Sequence, residues 1–142
     1  MPPEREIPGS PADWMARARS DLAFARSPLP EGAVYEDLCF HAQQAAEKAI
    51  KAVYRSRGRP FRYTHDIEDL LDGLKRQGVA IPSQVEGASD LTSFAWETRY
   101  PGVGESIDEH GYRAALRQAE VVVAWAKGII AQSRGQDSKT GD

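Results

Sequence analysis

Apolar residues recur every three or four positions along most of this chain, and that spacing is typical of amphipathic α-helices. No stretch shows the strict two-residue alternation that would predict a half-buried strand. The strongest repeat lies in the last third of the sequence, where its positions are Tyr112, Ala115, Leu116, Ala119, Val122, Val123, Ala126, Ile129 and Ile130. Proline, glycine and capping residues divide the rest of the chain into four further helical segments.

The first two predicted helices are the best bounded. The first opens at the capping residue Ser10, has Pro11 in its first helical position, and stops before Pro28. The second runs from about Val34 to Arg57 and ends at Gly58. Because alanine-rich stripes let neighbouring helices come close, we expect this helix at the centre of a bundle. Its apolar stripe comprises Leu38, Ala42, Ala45, Ala46, Ala49, Ile50 and Val53.

Capping signals predict three more helices. Thr64 is the expected cap of the third, Ser83 and Glu86 form a capping box for a fourth that ends near Arg99, and the fifth follows a second box that begins at Ser106. The whole pattern predicts an all-α fold, an antiparallel up-and-down bundle of four or five helices.

Length and composition are those of a single domain. The 142 residues predict a bundle over 11–131, with disordered tails at 1–10 and 132–142. One cysteine, Cys39, supplies neither a disulfide framework nor a cluster of soft metal ligands, so we expect it in the core of a reduced, cytoplasmic protein. We expect no signal peptide, no membrane span, no metal and no cofactor.

The formal net charge of -3 argues against a protein that coats nucleic acid without regard to sequence, because such binding needs a positive surface. One local basic patch stands apart from this average. Arg55, Arg57, Arg59 and Arg62 lie within eight residues that contain no acid.

Polar residues of the second helix are the first candidate site. His41, Gln44 and Lys48 share one face, and Gln43 and Glu47 form an adjacent stripe in which the glutamate can pair with the lysine four residues later. One interpretation is a solvated face with pairs inside the helix. The other is a polar network between helices, or a cleft wall that contacts the segment around residues 99–100.

A second candidate lies at the end of the fourth predicted helix. Pro101 forces Tyr100 out of helical geometry, so Arg99 and the Tyr100 ring would stand at a rigid corner. Such a pair can clamp a phosphate and stack a base. The alternative is that the tyrosine closes the end of the bundle while the arginine pairs with a nearby acid. His65 and His110 are each open to a site role or to an ordinary packing or surface role.

Several segments taken together resemble the HEPN domain. They are WMARARSDLAFA, FHAQQAAEKAIKAV, THDIEDLL and TRYP, followed by a final alanine- and glutamate-rich helix, and the resemblance covers roughly residues 11–130. The resemblance implies a compact helical bundle, commonly a homodimer, that in prokaryotes is often encoded beside a minimal nucleotidyltransferase as a toxin–antitoxin pair. It also implies either nucleotide or partner binding or a metal-independent RNase, whose motif is an arginine, four to six residues, and a histidine.

The chain departs from that RNase motif. Arg99 and His110 have ten residues between them, and Arg59 and His65 have five but straddle the loop into the third helix. Our leading hypothesis is therefore a module that binds a nucleotide, RNA or a partner. The rival is a metal-independent endoribonuclease toxin that would bring Arg99 together with His65 or His110. A purely structural adaptor is the third possibility.

The leading hypothesis requires that the Arg99 corner and the His65 segment meet in a shared recess. The binding residues it names are Arg99, Tyr100, His65, Arg59, Arg62, His41, Gln44 and Lys48.

Overall fold

The computed structural model describes residues 7–95 and 106–140, with side chains described through residue 133. It is all-helical, and the described residues contain no β-strand. The elements are α1 (Pro11–Ala25), α2 (Tyr35–Ser56), α3 (Ile67–Arg76), α4 (Ser83–Glu86), a 3₁₀ helix (Gly87–Ala95) and α5 (Glu109–Thr140). None of the described helices combines the length and apolar content that crossing a bilayer requires.

The central position predicted for α2 is confirmed, since it contacts α1, α3, α5 and the 3₁₀ helix. Helix α1 runs antiparallel to both of its long neighbours. Trp14 near its start packs beside Lys51 near the end of α2, while the Tyr112 hydroxyl at the start of α5 donates to the carbonyl of Ala25 at its end. Five alanines of α2 have no exposed surface, which accounts for the close approach of these helices: Ala42, Ala45, Ala46, Ala49 and Ala52.

Two of the predicted helix boundaries are confirmed in detail. The Ser10 hydroxyl accepts a hydrogen bond from the Asp13 amide at 3.0 Å, and Pro11 is the first residue of α1. Gly58 adopts φ +65°, the left-handed conformation that ends α2 after its last turn.

The predicted cap of α3 was wrong. Helix α3 begins at Ile67, and the Asp66 side chain accepts from the Asp69 amide at 3.2 Å. The Thr64 hydroxyl instead accepts from the Asp66 amide at 3.0 Å and so shapes the turn before the helix. A hydroxyl from the 3₁₀ helix, that of Thr92, accepts from the Ile67 amide, and this tertiary contact fixes the first residue of α3.

Both predicted capping boxes were also wrong. Pro82 is the N-cap of α4 and makes no side-chain cap, while Ser83 is already helical. At α5 the Asp108 carboxylate accepts from the Gly111 amide at 2.8 Å, so the helix starts later than the Ser106 box predicted. The Glu36 carboxylate of α2 accepts from the Ile107 amide at 2.7 Å and holds the chain out of the helix at that point.

The fourth predicted helix is only one turn of α-helix, followed by the 3₁₀ helix. Glycine, serine, aspartate and threonine make up most of the sequence GASDLTS after Glu86, and these residues disfavour a continued α-helix. The predicted inward positions Val85 and Leu91 are nevertheless buried. Helix α5 continues to Thr140, past the expected bundle end at residue 131, through residues such as Gln132 that have good helix propensity.

Candidate functional site

A buried carboxylate lies at the centre of the polar stripe on α2. Glu47 is only 3% exposed and accepts three side-chain hydrogen bonds. Lys51 Nζ donates to Oε2 at 2.8 Å, Gln43 Nε2 donates to Oε1 at 2.9 Å, and His65 Nδ1 lies 2.8 Å from the same Oε1. Burial by itself raises the pKa of Glu47, but the bonds from the lysine, histidine and glutamine outweigh it and hold the pKa below its ordinary value.

The lysine of this pair is buried among aromatic rings. Lys51 is 7% exposed, and its ammonium lies 5.8 Å from the Trp14 ring centroid and 5.2 Å from that of Phe61. The Arg55 guanidinium lies 4.6 Å from the Phe61 centroid. Cations so close to ring faces are attracted by the ring quadrupole, so the start of α1 and the chain after α2 are joined at this point.

His65 presents its ring outward from that anchor. Its side chain is 65% exposed, yet Nδ1 faces the buried Glu47 carboxylate and therefore carries a proton. The second ring nitrogen, Nε2, is left to accept a ligand hydrogen bond or to transfer a proton. A carboxylate that fixes the tautomer and direction of an exposed imidazole is the arrangement that general acid–base chemistry uses.

A second ion-pair cluster joins α2 to α1. Asp21 is 8% exposed, and its two oxygens contact His41 Nδ1 at 2.9 Å and Lys48 Nζ at 2.6 Å. The Phe24 ring, itself 58% exposed, stacks on the imidazole of His41 at 5.1 Å between centroids. Gln44 donates instead to the side-chain oxygen of Gln43 at 2.7 Å.

These contacts decide between the two interpretations of the α2 polar face. The structure shows a polar network between elements, because Asp21 belongs to α1 and His65 to the segment before α3. The other half of that interpretation, a cleft wall formed with Arg99 and Tyr100, lies outside the described residues. So does the shared recess of the Arg99 corner and the His65 segment.

The arginine-rich segment after α2 is exposed but partly engaged. Arg62 lies 3.6 Å from Asp69, and Arg57 donates to the carbonyl of Gln77 at 3.1 Å. Arg59 forms no ion pair with any residue that the structure describes. Tyr63 is 95% exposed, an unusual position for a large aromatic ring.

His110 is an exposed residue in the first turn of α5. That turn is held near Glu36, eleven residues before the Glu47 that anchors His65. At a rise of 1.5 Å per residue, Glu36 and Glu47 are about 16 Å apart along the axis of α2. Within one chain the structure therefore does not bring His65 and His110 together. No group of three or more metal-binding side chains converges among the residues that the structure describes.

Sequence reasoning missed the roles of three residues in this region, Asp21, Trp14 and Phe61. Asp21 falls on the apolar face of α1, between Ala18 and Ala25, and an acid at such a position was the available signal for a buried ion pair. The contribution of Trp14 and Phe61 to the surroundings of Lys51 had no local signal, because residues far apart in the chain create it.

Comparison with known proteins agrees with this architecture. The family model described as the HEPN domain matches residues 11–129. The crystal structure of TT1696 from Thermus thermophilus is similar with a TM-score of 0.69 and 28% identity, covering 85% of this chain and 98% of that one. The crystal structure of ST0689, an archaeal HEPN homologue, has a TM-score of 0.68 and 29% identity with the same coverage. No curated protein matches the chain significantly.

Proposed function

The chain belongs to the HEPN domain family, and from that premise we propose that it is a binding module for a nucleotide or for single-stranded RNA. The contact surface is the exposed segment of residues 59–65, which we call the basic corner. The carrying observation is that buried Glu47 holds the exposed ring of His65, which follows the exposed Tyr63 by two residues and Arg59 by six in the chain.

The basic corner offers the three kinds of contact that single-stranded nucleic acid uses. Arg59 and the largely exposed guanidinium of Arg62 supply positive charge for phosphate, and Tyr63 supplies a ring on which a base can stack. His65 supplies one oriented ring nitrogen. His41, Gln44 and Lys48 extend the polar surface along α2 toward α1, and Arg99 with Tyr100 would complete the site.

We propose in addition that the protein acts as a homodimer with a minimal nucleotidyltransferase as partner, in a toxin–antitoxin type of system. The HEPN family supports this setting. Sedimentation of the pure protein tests the dimer, and copurification with a nucleotidyltransferase encoded next to it tests the partner. A monomer that copurifies with no such enzyme would remove this part of the proposal.

The binding test uses fluorescence anisotropy with a short single-stranded RNA and a labelled ATP analogue. Tyr63→Ala is expected to weaken RNA binding by about tenfold, because stacking on an aromatic ring contributes about 1–3 kcal/mol per base. Arg59→Ala should lower the slope of log affinity against log salt by about 0.7, the value of one lost phosphate contact on a single strand.

Arg117→Ala is the matched control, since it removes the same charge from an exposed position on α5. If the Tyr63 and Arg59 variants bind as the Arg117 variant does, the basic corner is not the binding surface. If neither RNA nor the ATP analogue binds the unaltered protein at low salt, the nucleotide proposal fails as a whole.

A second candidate function is a metal-independent endoribonuclease, favoured by the Glu47–His65 pair. In this reaction His65 Nε2 would take the proton of the 2′-hydroxyl as that oxygen attacks the phosphorus, and the bond from phosphorus to the 5′-oxygen would break. The leaving 5′-oxygen would take a proton from water, the product would be a 2′,3′-cyclic phosphate, and an arginine would stabilise the charge on the phosphate. Cleavage of RNA by the pure protein in a chelator, abolished by His65→Ala and retained in His110→Ala, would establish it. If the pure protein does not cleave RNA and its expression does not arrest growth, the nuclease candidate is removed and binding is the only function still proposed.

A further inference from the structure

The buried carboxylate of Glu47 gives a direction to a chain of side-chain hydrogen bonds on α2. Although burial raises the pKa of Glu47, hydrogen bonds from three side chains bring it below its ordinary value. The carboxylate is therefore ionised at neutral pH and can only accept hydrogen bonds. Gln43 turns its NH₂ group toward it, with Nε2 2.9 Å from Oε1. The opposite orientation of this amide is excluded, since two acceptors would then face each other.

The orientation of Gln43 fixes that of Gln44 in turn. Gln43 has no exposed surface, and its NH₂ group also contacts the backbone carbonyl of His65 at 3.4 Å. With the NH₂ group occupied in this way, the side-chain oxygen of Gln43 faces Gln44, whose Nε2 donates to it at 2.7 Å. One ionised carboxylate thus sets the direction of every bond in the chain, and Gln44 holds its NH₂ group inward.

Gln44 forms the outer end of this chain. Its side chain is half-buried, and its oxygen accepts no hydrogen bond from the residues that the structure describes. The buried polar atoms that lack a partner do not include this oxygen, so it reaches the surface. One N–H of the same amide is also left over, because the group has two and Gln43 takes one. Gln44 therefore offers a ligand one acceptor and one donor, held in place from beneath.

An amide in a fixed orientation distinguishes between nucleic-acid bases. Adenine presents its amino group next to a ring nitrogen that accepts, and a glutamine binds this pair through two hydrogen bonds. Cytosine also has an amino group beside an accepting ring nitrogen. Guanine and hypoxanthine have an oxygen in place of the amino group of adenine, and uracil has one in place of that of cytosine. Held in the same way, these three bases would turn an oxygen toward the oxygen of Gln44.

We propose that Gln44 is a specificity-determining residue that selects a base with an exocyclic amino group, adenine or cytosine, and that Gln43 and Glu47 are its positioning residues. The amino group of the base donates to the oxygen of Gln44, and the neighbouring ring nitrogen accepts from the remaining N–H. This inference rests on the proposed binding of a nucleotide or RNA, since it names the base preferred there. The Gln43 amide supports a common surface, because it also contacts His65 of the basic corner.

Competition against the labelled ATP analogue tests the preference with pairs of ligands that differ at one group. ATP and inosine triphosphate differ at the amino group of the purine, and CTP and UTP differ at that of the pyrimidine. The amino-bearing member of at least one pair should compete at least about fivefold better, the lower end of what one such contact discriminates. The pair that shows the preference identifies the base. If RNA binds and mononucleotides do not, the matching homopolymer pairs replace them.

Four variants test the roles of the residues. Gln44→Met should bring the affinities within the preferred pair together by weakening the amino-bearing member. Gln43→Met leaves Gln44 in place but removes the group that orients it, and Glu47→Gln lets the chain of bonds reverse, so both should reduce the preference although the contact residue is intact. Gln118→Met is the matched control, because Gln118 lies on α5 and donates to the Gly87 carbonyl. It should leave the preference unchanged.

Several results would overturn the proposal. Equal competition within both pairs removes it while the proposed function stands, and so does a preference that survives Gln44→Met. A preference that folded Gln43→Met and Glu47→Gln proteins both retain removes the positioning roles. If neither nucleotides nor RNA bind, the proposed function has failed and this inference fails with it. The partly exposed Gln44 allows the test to proceed even if the two buried substitutions prevent folding.

Discussion

Removal of the Glu47 carboxylate is the most direct test of the network on α2. In Glu47→Met the Lys51 ammonium stays 7% exposed and loses its only carboxylate within the described residues. Breaking one side of a buried ion pair typically costs about 3–5 kcal/mol, which is a large part of the about 5–15 kcal/mol that stabilises an ordinary domain. His65 adds little to this cost because its exposed ring can return to water.

The double variant Glu47→Met/Lys51→Met separates the ion pair from the packing. It removes both charges and leaves apolar chains of similar length among the rings of Trp14 and Phe61. We expect it to be at least about 2 kcal/mol more stable than Glu47→Met alone, since replacing a buried pair by apolar groups is often neutral. Some loss relative to the unaltered protein remains, of about 1–3 kcal/mol, because the buried amide of Gln43 loses the nearer of its two acceptors and keeps only the His65 carbonyl at 3.4 Å.

The chain contains its own control for this double-mutant cycle. Glu109 and Arg113 have the same four-residue spacing and a 2.6 Å contact, but their side chains are 58% and 69% exposed. Their coupling energy in urea unfolding should stay below about 1 kcal/mol. A coupling energy for Glu47 and Lys51 as small as that of the exposed pair would refute the reasoning, and would mean that water reaches the network in solution.

Three further predictions follow from single features. Because the pKa of Glu47 is lower in the folded protein than its unfolded value of 4.5, the stabilisation that its charge provides is present above pH 4.5 and is lost as pH falls through the folded pKa. In that acidic window, the urea midpoint of Glu47→Gln should therefore change less with pH than that of the unaltered protein. Gly73→Ala should destabilise α3 by about 1–3 kcal/mol in thermal melts because its Cβ meets Tyr54, whereas Gly128→Ala, with open space around its Cβ, should gain up to about 1 kcal/mol; equal shifts would contradict the overlap. Burial, and secondarily the charge of Glu36, raises the pKa of the Cys39 thiol to about 12, so a thiol reagent at pH 8 should react only after denaturant is added, and rapid labelling of the folded protein would disprove that burial.

The sequence was sufficient for α1, α2, α3 and α5 and for their inward faces, because the three-and-four spacing reports burial directly. The stripes of α2 and α5 were predicted from that spacing alone, and their members are buried or half-buried. Helix starts were harder. Asp66, and not Thr64, caps α3, and the Thr92 hydroxyl on the 3₁₀ helix accepts the hydrogen bond of the Ile67 amide. Local sequence does not indicate such a partner twenty-five residues away.

The candidate site shows the same division between local and distant contacts. The Glu47–Lys51 pair was predicted from its spacing and is confirmed. The partners of His41 and His65 were not predicted, since each reaches a residue about twenty positions away on another segment. The binding roles given to these residues stay predictions.

The buried alanines of α2 limit which parts of the fold could change when the protein binds a ligand. A methyl side chain has no rotamers, so the five buried alanines offer no alternative packing through which a shift in one helix could be absorbed by another. Where these alanines form the contact, we therefore expect α2 and its neighbours to move together. Adjustment to a ligand is left to the connecting segment between α2 and α3, where backbone torsions rather than core side chains can change.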